Sequence, residues 1–422
     1  MKAGVGTLSL FALGVNGIVG VGIFFTPNLI AGLVPGTPGA LVFVATTALL
    51  LPVALTLALL ARALPIDGGP YVWARAAFGE SAGLAVGWVA AVSALFSLAA
   101  VVAGLRDHVA PSLGLSGATT GTLFAIGVAV ALALVAGLGL RPSAWTWDAL
   151  TLLKLTPLVL LVAALALAAD AAPSPARAAP DREAFGRALL VAVFPLQGFE
   201  VVPVLAGSAR LGRVSVPIAT VGSLVFAGAL YAGIQLVCAH ALPDLAAHPA
   251  PLVAAAKVLG GEQLSSLVAL GTYASVLGIA FGMMVMTPRY LAALGTEAGF
   301  GGWLGRLDAR GVPRTALLLT ALSVVVLVSF EALGSLFVLS SAAVLVQYVA
   351  AELALARLAT LRADGLSPLS LLPALAGLGA IALLALSVES KELPVLGAVF
   401  ALGVALLALR RRPRSSPPLR YD

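Results

Sequence analysis

Apolar runs of about membrane-spanning length follow one another along almost the whole sequence, separated by short stretches of charge, proline and glycine. They fall at about 7–33, 38–61, 82–105, 118–140, 149–169 and 186–208, then at about 214–240, 262–290, 314–330, 332–356, 368–388 and 393–409. A helix needs roughly 20 apolar residues to cross the hydrocarbon core, so the pattern predicts an all-α integral membrane protein of about twelve transmembrane helices. Composition bears on this because no alternative solvent suffices. The chain is 61% hydrophobic and 10% charged, whereas a soluble domain carries roughly 25% charged residues. A β-barrel is excluded, since its strands read as short alternating segments rather than long continuous runs. The first run, from Val5 to Phe25, has the look of a signal peptide. It continues through Pro27 and Asn28 without a convincing cleavage site, so it is expected to be a retained span.

The net charge of +6 does not form a basic stripe interleaved with aromatics, which argues against a nucleic-acid partner. Its placement instead sets an orientation. With both termini in the cytoplasm, 17 of the 24 Lys and Arg residues fall inside, six fall outside, and Lys154 lies within the membrane. Cytoplasmic loops carry that excess, and a cell-membrane location with cytoplasmic termini is the expectation. The single cysteine, Cys238, allows neither a disulfide framework nor a thiolate metal site.

Two of the runs are interrupted. The first holds Gly17-Ile18-Val19-Gly20-Val21-Gly22-Ile23-Phe24 and then Pro27; the sixth holds Phe194-Pro195-Leu196-Gln197-Gly198-Phe199-Glu200 and then Pro203. Glycine and proline both disfavour a helix interior. Unwound backbone at membrane depth is tolerated only beside a protein-lined cavity, and matched interruptions in two halves of a chain point to a binding site between them. A half-helix starting near Ile23 would aim free N–H groups and the positive end of its dipole at such a cavity, which suits a carboxylate. Carbonyls released near Ile18 and Leu196 suit an ammonium group. A zwitterionic amino acid needs both. The simpler reading of Gly20 and Gly22 is close helix packing.

Few ionisable residues remain at depth, and each defaults to a functional hypothesis because charge there is costly. Lys154 stands where it could bond carbonyls of the broken first segment in place of a bound cation, or else snorkel from a span end. Glu200 sits in the second break, as a carrier of a coupling proton or as an acid that satisfies backbone N–H groups there. Glu352, near the cytoplasmic end of the tenth run, reads as solvated. His108, His240 and His248 read as residues of outer loops without metal-ligand spacing. Phe194 is either a gate over a bound side chain or ordinary packing. No Ser/His dyad, His-Glu-x-x-His or phosphate-binding glycine loop is present, so no enzyme chemistry, cofactor or metal is expected.

With these residues in place, the sequence resembles the amino acid–polyamine–organocation transporters over nearly its whole length. The stretch Gly17 to Phe24 is similar to that family's glycine-rich break. Pro65-Ile66-Asp67-Gly68-Gly69-Pro70-Tyr71, running to Ala77-Phe78-Gly79 and Gly87-Trp88, resembles the loop after its second span. Gly198-Phe199-Glu200 with Ala206-Gly207 and a basic loop ending at Pro217 resembles its sixth segment. Pro288-Arg289-Tyr290 to Phe300, then Gly311-Val312-Pro313, resembles its loop after span eight.

The resemblance implies a LeuT-like arrangement of two five-helix inverted repeats, in residues 1–170 and 171–360, with helices 11 and 12 in 361–412 and a cytoplasmic tail in 413–422. It implies alternating access and a substrate site at Ile18, Gly20, Val21, Gly22, Phe194, Gln197 and Gly198; the apolar character of the expected pocket adds Phe281 on span eight. The substrate carboxylate would meet amides near Val21 and Gly22, and its amino group the carbonyls near Ile18, Phe194 and Gln197. Lys154, Glu200 and Phe194 take coupling or gating roles, Lys154 matching a lysine of sodium-independent members. Val21 departs from the small polar residue common at its position, and Asp67 from an alanine. A cysteine that would link a partner subunit is not found in the outer loop near His108. The expectation is therefore a sodium-independent carrier of amino acids, favouring neutral ones, working as an exchanger or with protons and without a disulfide-linked partner. A cationic amino-acid or polyamine antiporter and a non-transporting amino-acid sensor are the alternatives.

Overall fold

The computed structural model describes residues 6–65, 69–115, 117–139, 154–164, 181–204, 206, 212–297, 303–363 and 365–409. Every regular element among them is helical. In chain order they are α1 (Thr7–Ile18), α2 (Val21–Leu33), α3 (Gly39–Ala63), α4 (Pro70–Phe78), α5 (Glu80–His108) and α6 (Ala118–Gly137). Then come α7 (Lys154–Ala164), α8 (Arg182–Leu196), α9 (Val201–Val204), α10 (Gly212–Ala241) and α11 (Pro251–Glu297). The last four are α12 (Arg314–Phe330), α13 (Leu333–Thr360), α14 (Leu371–Ala385) and α15 (Leu393–Leu409).

Seven of the helices are long and apolar enough to cross a bilayer, or eight when α1 and α2 are taken as one span bent by 49°. α12 and α15 cover the apolar runs 314–330 and 393–409, and the close pair around Glu331 separates cleanly. The Glu331 N–H closes α12 on the Leu327 carbonyl, and Ala332 caps α13. Within α11 the backbone leaves helical geometry at Gly260 and Gly261, the latter at φ 68°, so a short helix precedes a long one. The loop motif after α3 becomes α4, with Pro70 at its first turn, where a missing N–H costs nothing. Asp67 lies outside the described residues.

Large side chains from several elements fill the interior: Trp73 from α4, Phe43 from α3, Tyr231 from α10 and Phe337 from α13 are fully buried. Outward faces carry Leu41, Leu123, Leu318 and Leu372, all more than half exposed. A chain apolar inside and out has no soluble way to cover that surface, and it is a multi-pass membrane protein.

Two expectations need correction. His108 is not in a loop; it ends α5, is buried, and stacks on Phe25 with ring centroids 4.0 Å apart. Gly104 makes that stack possible, since a Cβ there would lie 2.3 Å from the Phe25 ring. His240 likewise belongs to the last turn of α10. Glu352 is not solvated but fully buried. The helix runs on to Thr360, two turns past it, and its side turns toward α3 and α14 rather than outward.

Candidate functional site

The first break is two residues long. α1 closes with the Val19 N–H on the Val15 carbonyl, Gly20 is extended, and α2 begins at Val21. The first-turn N–H groups of a helix have no acceptor within it, and Gly20 offers no side chain to cap them. Backbone amides at Val21, Gly22 and Ile23 thus form the positive end of α2, with no side-chain cap among the described residues. The opposite edge of the break is held from outside. Lys154 of α7, 3% exposed, donates to the Asn16 carbonyl at 2.8 Å. Tyr231 of α10 donates to the Ile18 carbonyl at 2.8 Å. Both carbonyls belong to the last turn of α1, which lacks acceptors' partners of its own. Ile18 therefore keeps one lone pair for a ligand's ammonium, not two.

The second break is longer and braces itself. The Gln197 N–H closes α8 on the Val193 and Phe194 carbonyls, at 3.1 and 3.2 Å. Gly198 then takes φ 117°, a conformation that favours glycine. Glu200 reaches back so that one carboxyl oxygen accepts from the Gly198 N–H at 2.8 Å and from the Tyr348 hydroxyl at 3.4 Å. The Gln197 side-chain oxygen accepts from Ser340 at 3.4 Å, Ser340 pairs with Ser97 at 2.6 Å, and the buried Gln197 Nε2 has no partner among the described residues. Phe194 stacks on Phe337 of α13, with centroids 4.1 Å apart and planes 17° from parallel.

The two breaks interlock. A Cβ on Gly198 would lie 2.3 Å from the Gly17 carbonyl oxygen, and one on Gly22 would lie 2.5 Å from Pro195. Close packing and broken helices are therefore the same feature here: glycine lets backbone meet backbone where both helices unwind. A Cβ on Gly20 would come within 3.0 Å of Ile279 from α11. Phe281, two positions along α11, is half-buried against the main core.

Ile18, Gly20, Gly22, Phe194, Gln197, Gly198, Lys154 and Glu200 are thus gathered at one junction of α1, α2, α7, α8 and the turn before α9. Tyr231 and Tyr348 complete the bracing and were not foreseen, because an aromatic inside an apolar run carries no mark of what it bonds. No group of three or more His, Cys, Asp or Glu residues that could hold a metal occurs among the described residues.

Paired helix breaks inside a bundle of membrane-spanning helices define a membrane transport protein. The amino acid permease family model matches residues 5–407, and the chain belongs to that family. It is 27% identical to an uncharacterized transporter of Mycobacterium tuberculosis, over 97% of this chain and 92% of the relative. It is 25% identical to the branched-chain amino acid permease BcaP of Lactococcus lactis, over 81% of this chain and 79% of that one.

Proposed function

We propose that this permease is a sodium-independent secondary carrier of neutral amino acids that works by alternating access at the cell membrane. In this reading twelve spans form two inverted five-helix repeats and a C-terminal pair, with both termini in the cytoplasm. The bond from Lys154 to the Asn16 carbonyl carries the sodium-independence. An ammonium fixed on the carbonyl end of α1 supplies the positive charge that a bound cation would otherwise bring to that unwound segment. The substrate carboxylate binds the uncapped amides of Val21, Gly22 and Ile23, and its ammonium the remaining lone pairs of Ile18 and the end of α8. Phe194, stacked on Phe337, closes the site. The apolar surroundings, and the branched-chain substrates in the name of the Lactococcus relative, support a neutral side chain.

The test uses purified protein in liposomes. Uptake of labelled neutral amino acids is expected to persist when sodium is replaced by choline. Lys154→Ala strands a buried carbonyl and is expected to reduce uptake at least about tenfold, since a lost charged hydrogen bond is worth roughly 1.5–3 kcal/mol. Strict dependence on sodium would overturn this role for Lys154.

A further inference from the structure

A second buried carboxyl lies away from the breaks. Glu352 of α13 has no solvent exposure and faces α3 and α14. One of its oxygens accepts from the hydroxyl of Thr56, itself fully buried in α3; the other has no partner among the described residues. Gly377 of α14 makes the space: a Cβ there would lie 2.1 Å from the unpartnered oxygen. Three helices are thus shaped around one acid.

The groups that could answer its charge are few. α14 carries no titratable residue, and neither does the short turn Pro368–Ser370 before it. α3 carries only Arg62, exposed in its last turn, six residues or about 9 Å of helix past Thr56. In α4, Arg75 is bonded to Tyr71. α5 has Glu80 at one end and Arg106, Asp107 and His108 at the other, with Arg106 paired to Asp107. α8 has Arg182, Glu183 and Arg187 at its outer end, with Arg187 paired to Glu392 and Glu389. On α13 itself, Arg357 stacks over Phe78 and Tyr348 bonds Glu200. No ion pair reaches Glu352 among the described residues.

Glu200 offers the contrast. Its carboxyl has a backbone N–H and a phenol as donors, a set that holds an acceptor in place. Charge without a cation and with an oxygen unmet is costly inside a bundle, so a proton gained or lost at Glu352 changes how α13 packs on α3 and α14. That event has a direct line to the breaks. Tyr348 stands four residues before Glu352, one turn away on the same face, and is the residue that holds Glu200.

We propose that Glu352 is a proton-carrying site of this transporter, whose loading moves α13 against α3 and α14 and, through Tyr348, acts on the second break. The proposal rests on the transport reading above. The carboxylate takes a proton from water on one side of the membrane and returns it to water on the other; one O–H bond forms and later breaks, and nothing else changes.

The test compares wild type with Glu352→Gln in proteoliposomes, by two assays on the same vesicles. Counterflow of a labelled neutral amino acid without any gradient reports transport itself. Uptake under an acid-outside gradient of about one pH unit reports coupling, which for one proton supports about tenfold accumulation. Wild type is expected to show both. Glu352→Gln is expected to keep counterflow and lose the response to the gradient. A Gln variant that keeps the full response, or a wild type with counterflow and no response, overturns the proposal. A wild type without counterflow for any amino acid removes the transport reading and the proposal with it. Should Glu352→Gln fail to insert, Thr56→Val keeps the carboxyl and removes its one donor. The midpoint of the pH–uptake profile is then expected to shift, and an unchanged midpoint overturns the proposal.

Discussion

The two breaks solve one problem in opposite ways. The first is held by other helices: Lys154 and Tyr231 grip the carbonyl end of α1, and no side chain among the described residues caps the amide end of α2. The second is held largely by itself: Glu200, two residues past Gly198, satisfies the Gly198 N–H, with Tyr348 of α13 behind it. An unwound segment must have its polar groups met at membrane depth, and the way they are met decides what else can bind. At the second break a carboxylate is already present as part of the chain. At the first, the amide end of α2 carries no side-chain acceptor among the described residues. In the proposed reading, this asymmetry favours α2 for the substrate carboxylate and a bracing role for Glu200.

The sharpest way to break this arrangement is at the contact between the two. Gly198→Ala would force a side chain onto a residue at φ 117° and within 2.3 Å of the Gly17 carbonyl oxygen. Strain of this kind costs roughly 1–3 kcal/mol before any clash is relieved. A large fall in melting temperature in detergent, with loss of transport, is expected; a wild-type melt would mean that the breaks do not interlock.

Removing the outer grip is the next largest effect. Tyr231→Phe deletes one buried hydrogen bond and keeps the ring packed against Phe43. A net bond is worth about 1 kcal/mol, so apparent substrate affinity is expected to weaken about fivefold. The apparent KM of uptake reads this directly, and an unchanged KM would separate Tyr231 from the site.

Glu200→Gln is the mildest of the three. The amide oxygen still accepts from the Gly198 N–H, so transport is expected to fall only about two- to threefold, less than one hydrogen bond's worth. Glu200→Ala, which leaves that N–H unmet, is expected to be much worse. Equal damage from both would show that the charge of Glu200, not its acceptor, is what matters.

How much of this was readable beforehand follows from what leaves a trace in one dimension. The breaks were legible because Gly17, Gly22, Gly198, Pro27 and Pro203 interrupt apolar runs, and α12 and α15 were legible from their charged borders. Lys154 stood out as a lone cation among leucines. Rotation about each helix axis was not legible. In helices apolar on every side, as most here are, no polar face marks which way a residue turns. So Glu352 read as solvated, although it lies buried against Thr56 and Gly377, and Tyr231 went unnoticed, although it holds Ile18. Nor could the sequence distinguish between Glu200 as a proton carrier and Glu200 as a brace, since both demand an acid in the same place.

In the proposed reading, the substrate carboxylate sits on the uncapped amides at the start of α2. That placement is tested most directly by competition in counterflow between the best neutral amino acid and its own carboxamide, which keeps the ammonium and side chain and removes the negative charge. The carboxamide is expected to compete at least about a hundredfold more weakly, a loss of roughly 2.7 kcal/mol. Competition at equal strength would contradict it.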